Sequence, residues 1–542
     1  EPVNDSQILV VGAGTMGAGI AYVAAKAGYQ VDLVEPDAAG RERGLARIAK
    51  DAARGGDPSV TQRITMLDAI PARSDAAIAI EAVPEQLDLK RAIFEQFERA
   101  LDPQSLIATN TSSLHIGDIA HVVSDCGRVV GLHFFNPPAA MKLVEVAYLD
   151  HTTDEALDRA MAFVERIGKV GVETSDTPGF IVNRVARPFY LQAMRALERE
   201  VASMEELDAL ARSAGFRMGP FELMDLIGID VNLAVSESVY AQLGEDRLMP
   251  RPIQHQLVAE GRLGRKTGSG FYTYEDGRRT RLELAQPVSD GEKLDEFVAI
   301  IGFSDSADEL AGALEGRCDR LQRVENDDLL DRLDSDVTLV IDVGDGASDR
   351  REIAVELDRR LDPQCVIFVD GYATDIGALA SRVRRPERIV GFGVLGGLAQ
   401  QSAVEVVDAE ATGDDALALA QELFEAAGKA VVLVEDHPGL FLGRVIGSIV
   451  NEAMIAVTQG VATAEDVDRA MQLGVNYPQG PITWGREIGG ARIARILGRL
   501  AEEEGADFAP HRALRMLDAP DDEALAGITT EIAESPVNLL GG

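Results

Sequence analysis

The side chains best able to do chemistry in this chain stand close together in one stretch. The apolar run Val129 to Leu132 reads as a strand that delivers His133 at its end, and the next run, Lys142 to Val146, alternates so that Leu143 and Glu145 share a face. A carboxylate there can reach the imidazole and hold one tautomer, the arrangement of a general base that works near neutral pH. On local sequence alone, a histidine followed by Phe134 and Phe135 reads more readily as a hydrogen-bonded core residue. Ser112, in the run Asn110-Thr111-Ser112-Ser113, reads as a turn or N-cap serine, and Asn183 as an ordinary helix residue.

The elements that must position such a base begin at the N-terminus. From Gln7 the chain reads QILVVGAGTMGAGIAYVAAKAGYQVDLVEPD, a strand Ile8 to Val11, a glycine turn, an alanine-rich helix and a second strand Val31 to Val34. In such a βαβ unit Gly12 permits the tight turn, Gly14 lets backbone approach a pyrophosphate, and Gly17 lets helix and strand pack closely. Thr15 and Met16 open the helix, whose unpaired N–H groups face the anion. Glu35 ends the second strand, 18 positions after Gly17, where its carboxylate accepts from ribose hydroxyls and repels a 2′-phosphate. NAD is therefore expected over NADP; a glycine-rich turn without a ligand is the alternative.

Two further charge patterns lie on this unit. Arg43, Arg47, Lys50 and Arg54 follow at steps of four, three and four and so share one helical face, either a solvated face or a seat for phosphates such as those of coenzyme A. A strand Ala77 to Ile80 leads to Glu85 and Lys90 near the start of the next helix, a pair that by itself reads as a solvated ion pair.

GAGTMGAGIA, NTSS, GLHFFNP with MKLVEV, DTPGFIVNR from Asp176 to Arg184, and LGRKTGSGFY from Leu263 to Tyr272 occur in this order, and together they resemble the 3-hydroxyacyl-CoA dehydrogenase family. FIVNRVARPFY and LGVNYPQGP look closest to the bacterial 3-hydroxyadipyl-CoA dehydrogenases of phenylacetate degradation. The resemblance implies NAD-dependent oxidation of a 3-hydroxyacyl-CoA, with His133 as base, Glu145 steadying the imidazolium, Ser112 bonding the hydroxyl oxygen and Asn183 the thioester-side oxygen. It implies Gly12, Gly14, Thr15, Met16, Gly17, Glu35, Glu85, Lys90 and Asn110 as the cofactor set, and Ser112, Arg43, Arg47 and Lys50 toward coenzyme A. The stretch between Glu35 and Glu81 is shorter than the family pattern leads one to expect, which weakens the adenine-end contacts. A free carboxylate on the acyl tail requires a cation, for which Arg184 and Arg187 are the candidates. Two other readings stay open: a dehydrogenase of a free hydroxy or sugar acid, and a non-catalytic NAD-binding structural protein.

Composition narrows the partners. Ninety acidic against fifty-two basic residues give a formal charge of -38, which disfavours nucleic acid and anionic membranes. The few lysines among the basic residues fit a GC-rich genome or a salt-adapted cytoplasm. Neither a signal peptide nor a membrane span is read, so a cytoplasmic protein is expected. Cys126, Cys318 and Cys365 suggest neither a disulfide framework nor a metal site.

Beyond a polar linker the chain repeats itself. Leu361, Gly391, Glu405 and Asp436 each lie 260 positions after Leu101, Gly131, Glu145 and Asp176. This register carries Ser112 to Tyr372, His133 to Gly393 and Asn183 to Gly443, and Ser304 and Ala307 stand where the second and third glycines of the phosphate turn belong. The expected architecture is α/β plus α: a Rossmann-type doubly wound sheet (1–176), an all-helical domain (177–274), a linker (275–293), a degenerate copy of the sheet domain (294–430) and a second helical domain (431–542). The copy reads as a scaffold, although an independent domain with another ligand is the alternative. Its helices are expected to pack on the first helical domain as two subunits of a shorter family member pair, and the chain itself is expected to form a homodimer.

Overall fold

Mainly apolar strands separated by helical stretches must be covered on both faces, and the strands in the middle of each sheet are buried throughout. The computed structural model of the chain describes residues 4–279, 281–284, 293–302, 304–324, 331–344, 349–395 and 398–519. Its first sheet comprises β1 (Asn4–Val11), β2 (Gln30–Val34), β3 (Ile64–Leu67), β4 (Ala76–Glu81), β5 (Leu106–Thr109), β6 (Val129–Phe134), β7 (Leu143–Tyr148) and β8 (Val170–Ser175), in the order β3-β2-β1-β4-β5-β6-β7-β8. Every residue of β4, β5 and β6 is buried. Neighbours are parallel except β6 and β7, whose connection, 135–142, is too short for a crossover helix. The strands run further than their apolar stretches suggested, so His133 lies within β6 and not past its end. The half-exposed β3 had no counterpart in the sequence reading.

The second sheet repeats the plan with one strand fewer: β9 (Leu294–Ile301), β10 (Cys318–Val324), β11 (Leu339–Asp342), β12 (Val366–Asp370), β13 (Ile389–Gly393), β14 (Ala403–Val407) and β15 (Ala430–Val434), ordered β10-β9-β11-β12-β13-β14-β15. Again only the pair at β13 and β14 is antiparallel. Each sheet leads into helices. The first of these is interrupted after Val185 and resumes at Arg187–Glu198 with Pro188 in its first turn, whereas its counterpart Leu442–Thr458 has no proline and is continuous.

These two helices pack on each other, and around them the halves meet with two-fold symmetry. Ser175 N–H donates to Val461 O at 2.8 Å, and Glu435 N–H, 260 positions on, donates to Val201 O at 2.8 Å. Arg184, 2% exposed, donates to Glu452 at 2.8 Å, and the counterpart Arg444 donates to Gln192. Arg184 is thus consumed in the seam between the halves and is not a cation open to a ligand, contrary to the sequence reading. The helices of the second half cover the first helical domain, as the repeat led one to expect. The linker begins docked: Arg279 and Arg281 pair with Glu222, and Arg212 donates to Leu282 O. Residues 285–292 of the linker and 520–542 of the last helical domain lie outside the described residues.

In the second copy the four positions that matter have closed into a packed core. The Tyr372 hydroxyl donates to Glu405 at 2.7 Å, and its ring lies where a Cβ on either Gly393 or Gly443 would come within 2.6 Å of it. The other acceptor sites of Glu405 take Phe441 N–H at 2.7 Å and Leu442 N–H at 3.2 Å. Ser304 caps its own helix through Ala307 N–H, occupying the donor that an anion would use. The cleft at the ends of these strands is a cavity of about 20 Å³, lined among others by Ser306, Asp342, Gly344, Asp370 and Arg492.

Tyr372→Ala is expected to cost about 3–5 kcal/mol of stability, read by urea unfolding, without lowering the rate of NADH formation by folded protein. Burial pushes the Glu405 carboxyl up to about 7, against the pull of the Tyr372 hydroxyl and the two backbone N–H groups. A raised acid is protonated longer in the folded chain, so its contribution is full below the ordinary carboxylate range and is lost as pH rises through about 7. Glu405→Gln cannot ionise, so the unfolding midpoint of the variant should gain on that of the wild type between about pH 5 and about pH 8.

Candidate functional site

Strand pairing alone puts the base and its partner together. His133 and Glu145 are direct cross-strand partners on β6 and β7, and Nδ1 of the imidazole lies 2.6 Å from Glu145 Oε2. Glu145 is fully buried and His133 is 6% exposed, with the rings of Phe135 and Phe180 at 4.7 and 5.6 Å from the imidazole. The second carboxylate oxygen accepts from Ile181 N–H at 3.0 Å and Val182 N–H at 2.9 Å. These N–H groups are presented by a turn in which Gly179 and Phe180 both have positive φ, 76° and 48°. Glu145 therefore fixes the imidazole and the start of the helix that carries Asn183 at the same time. With Nδ1 committed to a carboxylate, Nε2 is left as the proton acceptor.

The Ser112 loop is held from the other side. Glu85 accepts from Ser112 N–H at 2.7 Å, from the Ser112 hydroxyl at 3.2 Å and from the Thr111 hydroxyl at 3.0 Å. Behind it Lys90, 1% exposed, bonds both oxygens of Glu81, at 2.7 and 2.9 Å, and lies 3.3 Å from Glu85. Thr109 donates to Glu81 at 2.6 Å. Lys90 thus acts on the cleft through Glu85, since its ammonium is spent on buried partners; the pair is not the solvated one that local sequence suggests. Asn110 accepts from Phe134 N–H at 2.9 Å, tying the end of β5 to the residue beside His133. Across the cleft, Gln242 of the helix Ile229–Leu243 donates to Ser113 O at 3.3 Å.

Asn183 is half-buried, its carbonyl accepting from Arg187 Nε at 2.8 Å, and among the described residues its side-chain amide has no protein partner. The second copy gauges the space these positions share. There one phenol side chain, Tyr372, touches the counterparts of His133, Glu145 and Asn183 at once, so the four positions of the first copy surround a volume of about that size.

The glycine turn fits a dinucleotide. A Cβ on Gly14 would meet nothing within 4 Å, one on Gly12 would come within 2.6 Å of Ala82 O, and one on Gly17 would collide with Gly12 O at 1.8 Å. The helix Thr15–Lys26 has no side-chain cap, leaving its first N–H groups for an anion. Glu35 accepts from Ala13 N–H at 3.2 Å and Asp37 N–H at 3.2 Å, which aims the carboxylate over the turn with lone pairs to spare. Arg43, Arg47 and Lys50 are exposed on the single helix Ala38–Arg54, and Arg43 is paired with Asp37. Only a short 3-10 helix, Pro58–Arg63, and β3 stand between this helix and β4. Among the described residues no group of three His, Cys, Asp or Glu side chains is placed to hold a metal.

Sequence reasoning missed Glu81, Thr109, Thr111 and Gln242. A carboxylate closing the otherwise apolar β4 was the available signal for Glu81, because a charge there needs a buried partner.

The chain is similar to known proteins along nearly its whole length. The pattern described as 3-hydroxyacyl-CoA dehydrogenase, NAD binding domain, matches residues 7–177 and 305–437, and that described as 3-hydroxyacyl-CoA dehydrogenase, C-terminal domain, matches 179–274 and 439–522. A 3-hydroxyadipyl-CoA dehydrogenase of Escherichia coli is 37% identical over 95% of this chain and 97% of its own length. A probable 3-hydroxybutyryl-CoA dehydrogenase of Bacillus subtilis is 38% identical over 50% of this chain and 98% of its own. The crystal structure of 3-hydroxybutyryl-CoA dehydrogenase from Escherichia coli superposes with a TM-score of 0.76 at 34% identity, covering 95% of this chain and 98% of that one. With both patterns present twice and a relative alike along nearly the whole length, the chain belongs to the 3-hydroxyacyl-CoA dehydrogenase family.

Proposed function

We propose that the chain oxidises the 3-hydroxyl of a 3-hydroxyacyl-CoA thioester to the 3-oxo thioester, and that the reaction runs in the first copy alone. The observation that carries this reading is the His133 and Glu145 pair, at 2.6 Å, in a cleft beside an uncapped glycine turn. NAD supplies the hydride acceptor when bound at that turn. His133 Nε2 takes the hydroxyl proton as the C3 hydrogen leaves with its electron pair, and Glu145 stabilises the imidazolium that results. Ser112, held by Glu85, and Asn183, held through Glu145, bond the two substrate oxygens where charge develops. Arg43, Arg47 and Lys50 take the phosphates of coenzyme A. The buried apolar faces around the imidazole keep bulk water from it. We place the protein in the cytoplasm; among the described residues its cysteines are free and no helix is long and apolar enough to cross a membrane.

His133→Gln should lower kcat by ~10²-fold or more while NAD affinity stays near the wild-type value. NADH absorbance with 3-hydroxybutyryl-CoA, 3-hydroxyadipyl-CoA and the matching free acids is the test, and turnover of the free acids alone would replace this reading with that of a hydroxy-acid dehydrogenase. Lys90→Met leaves Glu81 as a buried charge without a counter-ion and should cost about 3–5 kcal/mol in urea unfolding. Changing Arg47 and Lys50 together to Ala should raise KM for the thioester and leave kcat in place.

A further inference from the structure

Five arginines are buried among the described residues, and four of them have carboxylate partners: Arg184 with Glu452, Arg350 with Asp342, Arg388 with Asp358 and Arg444 with Glu504. The fifth, Arg187, is 4% exposed and meets only neutral acceptors among those residues: Asn183 O at 2.8 Å, Ser236 Oγ at 3.1 Å and Asn232 O at 3.3 Å. Its guanidinium lies over the Tyr190 ring at 5.0 Å. In a chain with 90 acidic residues, a buried cation left without one is a costly arrangement that an anionic ligand would complete.

An unpartnered polar group lies beside it. The hydroxyl of Tyr477, which reaches in from the other half of the chain, is buried without a hydrogen-bond partner, and the charge of Arg187 is close enough to act on it. Gln254 fixes the Asn232 side chain at 2.8 Å, so the wall of this nest is itself pinned.

The inactive half shows that the fold does not require the nest. The register is 260 as far as Met471 and 261 from Asn476 onward, because the end of the helix Ala464–Val475 and its turn hold one residue more than their counterparts: Phe216 N–H returns to Ala211 O, and Tyr477 N–H to Met471 O. With that register Arg187 becomes Gly447, Tyr190 becomes Val450, Asn232 becomes Ile493, Ser236 becomes Leu497, and Tyr477 corresponds to Phe216. A Cβ on Gly447 would meet Leu497 at 3.6 Å and Ile493 at 3.8 Å, so the same places touch there as an apolar set. The equivalent place built from Gly447, Val450, Ile493, Leu497 and Phe216 thus has none of these polar groups.

Arg187 stands four residues beyond Asn183, across the interruption after Val185, and its side chain leans back to the Asn183 carbonyl at 2.8 Å. We propose that Arg187, with the Tyr477 hydroxyl, binds a carboxylate at the far end of a short acyl chain and so selects dicarboxylic acyl thioesters. This assignment rests on the hydroxyacyl thioester reading given above, in which Asn183 holds the other end of the acyl group. The helix Ile229–Leu243, which supplies Asn232 and Ser236, also reaches the Ser112 loop through Gln242, so the groups around Arg187 and the reacting end share one wall.

The test compares kcat/KM for 3-hydroxyadipyl-CoA with that for 3-hydroxyhexanoyl-CoA, which carries a methyl in place of the carboxylate. Wild type should favour the adipyl thioester, Arg187→Leu should lower the ratio by about 50-fold or more, and Tyr477→Phe, which keeps the ring and its packing, should lower it several-fold. The ratio separates tail recognition from any disturbance of Asn183, which would slow both substrates alike. Turnover of the hexanoyl thioester without preference for the adipyl one, or an unchanged ratio in folded variants, overturns the assignment and leaves the hydroxyacyl reading standing. Turnover of neither thioester by wild type overturns both.

Discussion

A single buried carboxylate, used twice, carries the construction of this protein. Glu145 on β7 accepts from the imidazole on one side and from two backbone N–H groups at the start of a helix on the other, so sheet, base and helical domain are fixed to each other at one atom group. An ionised carboxylate in that place requires all of these donors, and withdrawing any of them would leave charge or lone pairs unsatisfied in a dry environment. The positive-φ turn at Gly179 and Phe180 exists to present those N–H groups, and its strain is held by the bonds it makes possible. Glu405 repeats the joint with Gly439 and Leu440, φ 70° and 46°.

What changed in the second half is therefore the chemistry and not the joint. Once the histidine became Gly393, Glu405 still needed a donor where the imidazole had been. Tyr372 supplies a hydroxyl to it and a ring to the volume that Gly393 and Gly443 leave open. The places of the base, the serine and the asparagine are thus filled together, by one side chain packed as core.

Much of this was legible in the sequence because it is local or periodic. The glycine turn, the acidic end of β2, the histidine strand and the constant register between the halves are all short-range patterns, and they suffice for the two sheets and the first site. What could not be read depends on partners distant in sequence. Arg184 looked like a free cation because Glu452 lies 268 residues away, and Lys90 looked exposed because Glu81 belongs to a strand whose burial comes from its neighbours. Tyr372 read only as a lost serine, since nothing local says that a ring placed there covers two glycines and reaches a carboxylate.

The reciprocal hydrogen bonds from Ser175 to Val461 and from Glu435 to Val201 make the two halves a symmetric pair on one chain. In an association of identical chains, every mutation at the seam arises on both sides of the axis, and a residue useful to one partner burdens the other with the same change. Covalent linkage removes that coupling. Phe216 packs against Tyr477 at 5.1 Å, two rings at equivalent places that no longer have to be the same residue. A half without turnover of its own is free to evolve as part of its neighbour's wall, so that the retired copy becomes raw material for the specificity of the working one.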